Sequence, residues 1–536
     1  MAPHSYIFFL ATLALFFTFV NAVAPIVDVS YSKYKGKDLG NGVTQWLGMR
    51  YAAPPVGELR FMPPQDPVRS RQVKDASKFR LKCAGDGVGP RSIDKTQSED
   101  CLFINVFAPT NAARMARLPV FVDIQGGGFT SNSKPTINGT GLIQASGMNM
   151  IVVTFNYRVS IFGFLSYGDM VQPNIGLLDQ RQALQWVQKY ISRFGGDPKH
   201  VTLGGNSAGG ASVAFHLAAY GGRDDKLFHA AAAESISSSP IITLDQAAYR
   251  ADSTIARLNC VGTGLEIMAC LRNKTAVELS AASTNVPYPG VTNKPISMWA
   301  PIVDGDFVRD GLFSSFDQGK FVRVPSLIGA TTNEGNMFVS AVASSSQTAA
   351  VNFWQAEYPQ LNLTTHMDRV KGLYSDARSL KQQLTGSYGD MRFLCAGASI
   401  SGAMSRWMPG KAWNYWYNVE DPTYTATGLG IGHCMELHAV WGPGMASSGN
   451  APPSYYNGGI NYNITTIVQG YWSSFIRSKD PNPYRSVDTA VWGPYSSAPR
   501  QRLVFDTAGK TSLQNMTQQV QERCDYFGSI AGLVQQ

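Results

Sequence analysis

The feature that most constrains this chain is a short apolar run that passes directly into glycines around one serine. Val201-Thr202-Leu203 reads as a strand, Gly204-Gly205-Asn206-Ser207-Ala208-Gly209-Gly210 as a sharp turn, and Ala211 to Leu217 as the start of a helix. This is G-x-S-x-G in the setting that gives the pattern meaning: strand, turn, helix. Such a turn strains the serine backbone and needs neighbours without bulky side chains, hence Gly205 and Gly209. It leaves the Ser207 Oγ exposed at the head of a helix, where the N-terminal dipole favours a developing negative charge.

The surrounding chain agrees with an α/β sheet. Pro119 to Ile124 and Met150 to Phe155 are further buried-strand candidates. Between Met150–Phe155 and Val201–Leu203 lies Leu178 to Arg193, whose apolar Leu178, Ala183, Leu184, Trp186, Val187 and Ile191 fall on one helical face. Gly195-Gly196 then stops the helix. Strand, helix, strand in this order is a parallel crossover unit. No Pro- or Ser-rich linker, repeat or low-complexity block interrupts the chain. The expectation is a single α/β domain over residues 23–536, with a large, mostly parallel central sheet flanked by helices. Hydrophobic residues at 44% against 15% charged support a sizeable core. The net charge of +8 raises an anionic partner, but the Lys and Arg look scattered in sequence, so no nucleic-acid partner is expected.

Ile7 to Val20 is almost wholly apolar, and Val20-Asn21-Ala22 offers small residues for signal-peptidase cleavage. Residues 1–22 are therefore read as a signal peptide. The run is short of the roughly 20 residues a spanning helix needs, and no basic cluster follows it. Secretion without stable membrane insertion is the expectation, and N-x-S/T sequons at Asn138, Asn273, Asn362, Asn463 and Asn515 agree with it. Seven cysteines are present without a C-x-x-C pair or an H-E-x-x-H motif, so disulfides are expected and a metal site is not.

A serine hydroxyl is a poor nucleophile unless a base takes its proton, and the base needs an orienting carboxylate. In folds of this type the order is serine, acid, histidine. His366, His433 and His438 lie far enough beyond Ser207. His366 sits in a polar stretch that reads as surface, His438 falls inside an apparent helix, and His433 stands in the Gly-rich loop before it, where catalytic groups are usually mounted. For the acid, Glu334 follows a strand-like run from Val324, and Asp304 in a Val-Asp-Gly turn is the rival. Gly126-Gly127-Gly128-Phe129 follows the Pro119–Ile124 strand, as expected of a loop whose amides bind an oxyanion. One such donor typically contributes roughly 3–4 kcal/mol to the transition state.

With these residues in place the chain resembles the type-B carboxylesterase/lipase family, which includes cholinesterases and fungal lipases, and is closest in character to secreted fungal carboxylesterases. Tyr51 to Phe61 resembles the family's N-terminal signature, Glu99 to Val106 its second, and Gly205 to Gly209 its serine signature. Val303-Asp304-Gly305, Val324-Pro325 and Thr332 to Gly335 are similar to the acid-bearing segment, and His433 with Glu436-Leu437 and Val440-Trp441-Gly442 to the histidine segment. The resemblance implies an α/β-hydrolase fold and a serine carboxylic-ester hydrolase that needs no cofactor. It implies Ser207, Glu334 and His433 as catalytic residues, with the Gly127, Gly128 and Ala208 amides as oxyanion hole, and reduces Asp304 to a turn residue. It also implies the disulfides Cys83–Cys101, Cys260–Cys270 and Cys395–Cys524, leaving Cys434 free.

Two departures bear on substrate. The residue before the serine, usually Glu in the family, is Asn206, which removes a negative charge beside the nucleophile and predicts no preference for cationic esters. The segment between Cys83 and Cys101 is short and polar, unlike a lipase lid, which predicts action on soluble small-to-medium esters without interfacial activation. An acyltransferase with the same residues, a non-catalytic binding protein and an amide-cleaving enzyme are the competing readings.

Overall fold

The computed structural model describes residues 25–85, 93–112, 116–133, 135–446 and 451–536. The expected signal peptide, residues 1–22, lies outside them, as do residues 86–92 of the stretch between Cys83 and Cys101.

Within the described residues an eleven-stranded mixed sheet runs through the molecule. In chain order its strands are β1 (Lys37–Asp38), β2 (Val43–Arg50), β3 (Phe103–Pro109), β4 (Leu118–Ile124), β5 (Ile151–Phe155), β6 (Gly196–Asn206), β7 (Ala230–Glu234), β8 (Ser326–Thr331), β9 (Ala412–Asn418), β10 (Gln501–Asp506) and β11 (Lys510–Asn515). In space the order is β11-β10-β9-β8-β7-β6-β4-β5-β3-β2-β1. Strands β4 to β10 pair in parallel, and β1, β2, β3 and β11 join antiparallel at the two edges.

The expected crossover is present, with two differences. Helix α1 (Ile175–Tyr190) begins three residues before the apolar pattern suggested and ends in a short 3-10 turn, with Gly195 at φ 88°. The strands it connects, β5 and β6, are parallel but not adjacent, because β4 pairs with both and lies between them. The sheet is covered on both faces. On β4, Val120, Val122 and Ile124 enter one core and Phe121 the other. On β5, Ile151, Val153 and Phe155 oppose Val152 in the same way. Alternation into two cores makes these strands read as continuous apolar runs.

Helix α2 (Ala208–Gly222) leaves β6 at Ser207 and packs on β6 and β7. The buried residues Ala230 to Ala233 make up most of β7. Alanine is a weak strand former, so pairing with β6 and β8, rather than propensity, holds this segment extended.

Three disulfides close loops on this frame: Cys83–Cys101, Cys260–Cys270 and Cys395–Cys524. The last spans 129 residues and ties helix α3 (Cys395–Trp407) to helix α4 (Gln518–Ile530). On a loop-entropy model a link of that length constrains the unfolded chain by on the order of 5 kcal/mol, against about 3 for the short ones.

Candidate active site

Ser207 stands between the end of β6 and the start of α2, with φ 58° and ψ −121°. No helix or strand residue adopts such values, and outside glycine they carry strain. The surroundings enforce them. The Ser207 amide donates to the Glu234 carbonyl at 2.9 Å, and the Ser207 carbonyl accepts from Ala211 at 2.9 Å and Ser237 at 3.3 Å. A Cβ at Gly209 would lie 1.8 Å from the Ile124 carbonyl oxygen, and one at Gly205 would lie 2.6 Å from the Gly209 backbone. The turn is therefore pressed against the end of β4. The Ala208 amide sits in the first turn of α2, where N–H groups have no intrahelical acceptor.

The chain leaving β4 forms the other wall. Gly127, Gly128 and Phe129 take positive φ of 121°, 62° and 61°. The Gly127 carbonyl accepts from Thr130 at 3.1 Å and Ser131 at 3.0 Å, which turns this peptide's oxygen inward along the loop. A Cβ at Gly126 would come 2.9 Å from the Ser207 Cβ, so the loop and the serine are in direct contact. The Gln125 amide group donates to Asn156 Oδ1 at 3.1 Å, and the Gln125 carbonyl accepts from the Tyr157 hydroxyl at 3.1 Å. Gln125 thus anchors the loop from inside the protein.

Glu334 follows β8 and opens a 3-10 turn. Its Oε1 accepts from the Thr331 amide and the Ser235 hydroxyl, both at 2.7 Å. Its Oε2 lies 2.5 Å from His433 Nδ1, with both side chains almost fully buried. A buried carboxylate is tolerated when its lone pairs are met by donors, and here three groups meet them. The His433 loop is fixed to the Glu334 turn by a double hydrogen bond between Asn333 and Ile431: the Asn333 amide donates to the Ile431 carbonyl at 2.8 Å, and the Ile431 amide to Asn333 Oδ1 at 2.9 Å. The imidazole packs against a stacked pair of rings, Phe393 at 4.3 Å between ring centres and Phe338 at 5.1 Å, which lie 5.2 Å from each other. Its Nε2 is buried and has no hydrogen-bond partner, so a bond to Ser207 Oγ is not made in this structure. The two loops touch one residue to the side, where Asn206 Nδ2 donates to Cys434 Sγ at 3.5 Å.

The alternatives fall away from this centre. Asp304 accepts from the Asp306 and Val308 amides at 2.9 Å and from Asn174 Nδ2 at 2.7 Å, the contacts of a turn. His438 lies in the short helix Leu437–Trp441 and meets the Tyr424 hydroxyl at 3.1 Å. His366 corrects its sequence reading: it is not on the surface but buried in helix Leu363–Leu373, against Trp354 and 2.9 Å from the Tyr526 hydroxyl. The polar residues around it face outward while the imidazole turns into a core. Cys434 is the free cysteine, and burial, with Glu436 beside it, pushes its thiol pKa well up. Of the sequon asparagines, Asn273, Asn362, Asn463 and Asn515 are exposed and Asn138 is half-buried. Among the described residues no group of three or more potential ligands could hold a metal ion, and no helix is long and apolar enough to cross a membrane.

Sequence reading missed the second layer. The Ser235 hydroxyl bridges Glu334 to Glu436, at 2.7 and 3.4 Å, and the Tyr415 hydroxyl donates to Glu436 at 2.9 Å. Ser235 lies in an Ala- and Ser-rich stretch with no pattern of its own, and Phe393 occupies a π turn, Asp390–Leu394, that periodicity cannot reveal. Glu436 was visible only as a member of the histidine segment.

The Carboxylesterase family model matches residues 23–527. The para-nitrobenzyl esterase of Bacillus subtilis (strain 168) is 31% identical over 493 residues, 90% of this chain and 95% of that protein. A stretch of 298 residues is 37% identical to thyroglobulin of Homo sapiens, covering 55% of this chain but 10% of that protein. The crystal structure of Aspergillus niger EstA superposes with a TM-score of 0.90 at 34% identity, over 96% of this chain and 99% of that one.

Burial, followed by the nearby Glu334, pushes the Glu436 carboxyl up to about 8 from an ordinary 4.5. The native state then keeps a proton that the unfolded chain releases. This contribution to stability is complete below the ordinary carboxylate range and is lost as pH rises toward the folded value. Glu436→Gln mimics the protonated form. Relative to this variant, wild type should lose on the order of a few degrees of melting temperature between about pH 5 and 8. Parallel melting curves for the two proteins across that range would show that Glu436 holds no such proton.

Proposed function

The chain belongs to the carboxylesterase family and is a carboxylic ester hydrolase with the α/β-hydrolase fold, and from that premise we propose that it cleaves soluble small-to-medium esters through an acyl-enzyme on Ser207. The observation that carries the proposal is the state of His433, which is held through Nδ1 by Glu334 at 2.5 Å while its Nε2 is left without a partner. An imidazole oriented in this way presents a base on the side where a serine proton must leave.

In the proposed cycle His433 Nε2 accepts the Ser207 proton as Oγ attacks the ester carbonyl carbon, and Glu334 holds the tautomer and stabilises the imidazolium. The amides of Gly127, Gly128 and Ala208 receive the tetrahedral oxyanion. As the intermediate collapses, the bond to the alcohol oxygen breaks and His433 returns the proton to it. Water, deprotonated by His433, then attacks the acyl carbon, and Ser207 leaves with its proton restored. Every step moves protons and acyl groups only, so the cycle requires no cofactor. The missing Ser207–His433 bond fits a site that tightens when substrate arrives, as catalytic hydrogen bonds often do.

We further take residues 1–22 as a signal peptide and 23–536 as one catalytic domain of a secreted glycoprotein carrying glycans at the five sequons. The three disulfides support an oxidising destination. The partner is a small-molecule ester.

Across p-nitrophenyl esters from acetate to palmitate, turnover should be highest for short acyl chains and fall on the order of a millionfold in Ser207→Ala. Comparable turnover in that variant would remove Ser207 as nucleophile. Asn206 places no negative charge beside the nucleophile, so a choline ester and its uncharged isostere should differ little in kcat/KM. Clear selectivity for the cation would contradict this part of the reading.

A further inference from the structure

The cations that look scattered along the sequence are gathered by the fold. Residues 25–85 hold eleven of the chain's 45 Lys and Arg and five of its 37 Asp and Glu, a net +6 against +8 for the whole chain. Two of the eleven are neutralised by acids further along, Arg50 by Asp100 at 2.6 Å and Arg60 by Glu99 at 2.6 Å. Three of the other nine, Lys33, Lys35 and Lys37, come from one stretch and the remaining six from residues 69–82. A three-stranded sheet separate from the main one joins the two stretches. In it Ile26–Asp28 pairs with Lys33–Lys35, which in turn pairs with Val73–Asp75, placing Lys33 opposite Val73 and Lys35 opposite Asp75.

The patch is under-compensated. Its own acids are Asp28, Asp38, Asp66 and Asp75, since Glu58 meets Arg272. Among the described residues, one of the nine cations makes an ion pair, Lys33 with Asp28 at 3.8 Å. Lys33, Lys35, Lys37, Arg69, Arg71 and Arg80 are exposed. Aliphatic side chains stand among them in the open: Val68 is 71% exposed, Val73 50%, Leu81 43% and Ile26 41%. Among the described residues of this patch no aromatic ring is exposed, Tyr31 and Phe79 being half-buried. Tyr34 is buried, and the Tyr31 hydroxyl is engaged with the Arg50 carbonyl.

This combination discriminates between polyanions. A sugar polymer would be held by exposed aromatic rings or by charge alone, whereas protruding aliphatics interleaved with Lys and Arg suit the boundary of a lipid layer. There the cations meet anionic headgroups and the aliphatic tips enter the interface. We propose that this face docks the protein on anionic lipid surfaces. It does not depend on the catalytic assignment above.

Sedimentation with vesicles tests it on the full mature chain. Phosphatidylcholine vesicles containing phosphatidylglycerol should bind at least about tenfold better than phosphatidylcholine alone at low salt, with the difference collapsing at high salt. Lys33→Glu/Lys35→Glu/Arg71→Glu should remove the difference, and Val68→Ser/Val73→Ser should weaken binding to the anionic vesicles, while both variants hydrolyse p-nitrophenyl esters at the wild-type rate. Equal sedimentation of wild type and the charge variant, or no vesicle binding by wild type, overturns the proposal. Retention on heparin with the valine substitutions inert at vesicles also overturns it, in favour of an anionic polysaccharide.

Discussion

The constraint on which the rest depends is the approach of the β6–α2 turn to the end of β4. At Gly209 a single added carbon would stand 1.8 Å from the Ile124 carbonyl oxygen, and at Gly126 another would stand 2.9 Å from the Ser207 Cβ. Backbones this close admit glycine alone. Because β4 and β6 are adjacent parallel strands, their ends rise together, one carrying the glycine loop and the other the serine. The strain at Ser207 is sustained by cores on both faces of the sheet, since two packed layers leave the strand ends no freedom to separate.

The acid and the histidine depend on the same sheet in a different way. Glu334 leaves β8, and Ser235, one residue past β7, supplies one of its donors. Parallel neighbours thus deliver the carboxylate and its hydrogen-bond partner to one edge, where functional loops of α/β sheets gather. Charge is rationed across this edge. Glu334 is saturated with donors, whereas Glu234 and Glu436 are pushed toward the neutral acid, each first by burial and next by a neighbouring carboxylate. Three buried carboxylates close together cannot all ionise.

Much of this was legible in the sequence because it is local. Strands β4 and β5 are buried on both faces and show as apolar runs, α1 shows its period, and the serine turn is written in consecutive residues. Glu334 and His433 were each narrowed by loop context but singled out only by the family resemblance, since 99 residues separate them and no spacing rule links them. What stayed hidden is what tertiary packing decides. Strand β7 lacks strand formers, His366 is drawn into a core from a polar stretch, Ser235 and Phe393 have no motif, and the two basic stretches become neighbours only when Lys33–Lys35 pairs with Val73–Asp75.

The most direct test of the central claim is covalent capture. A fluorophosphonate that traps activated serines, followed by peptide mass analysis, should label wild type with one equivalent on the peptide containing Ser207. Labelling should track the loss of ester hydrolysis and be slowed by many orders of magnitude in His433→Ala. Full hydrolysis by protein carrying one equivalent of label on the Ser207 peptide, or stoichiometric labelling at another serine, would contradict the account.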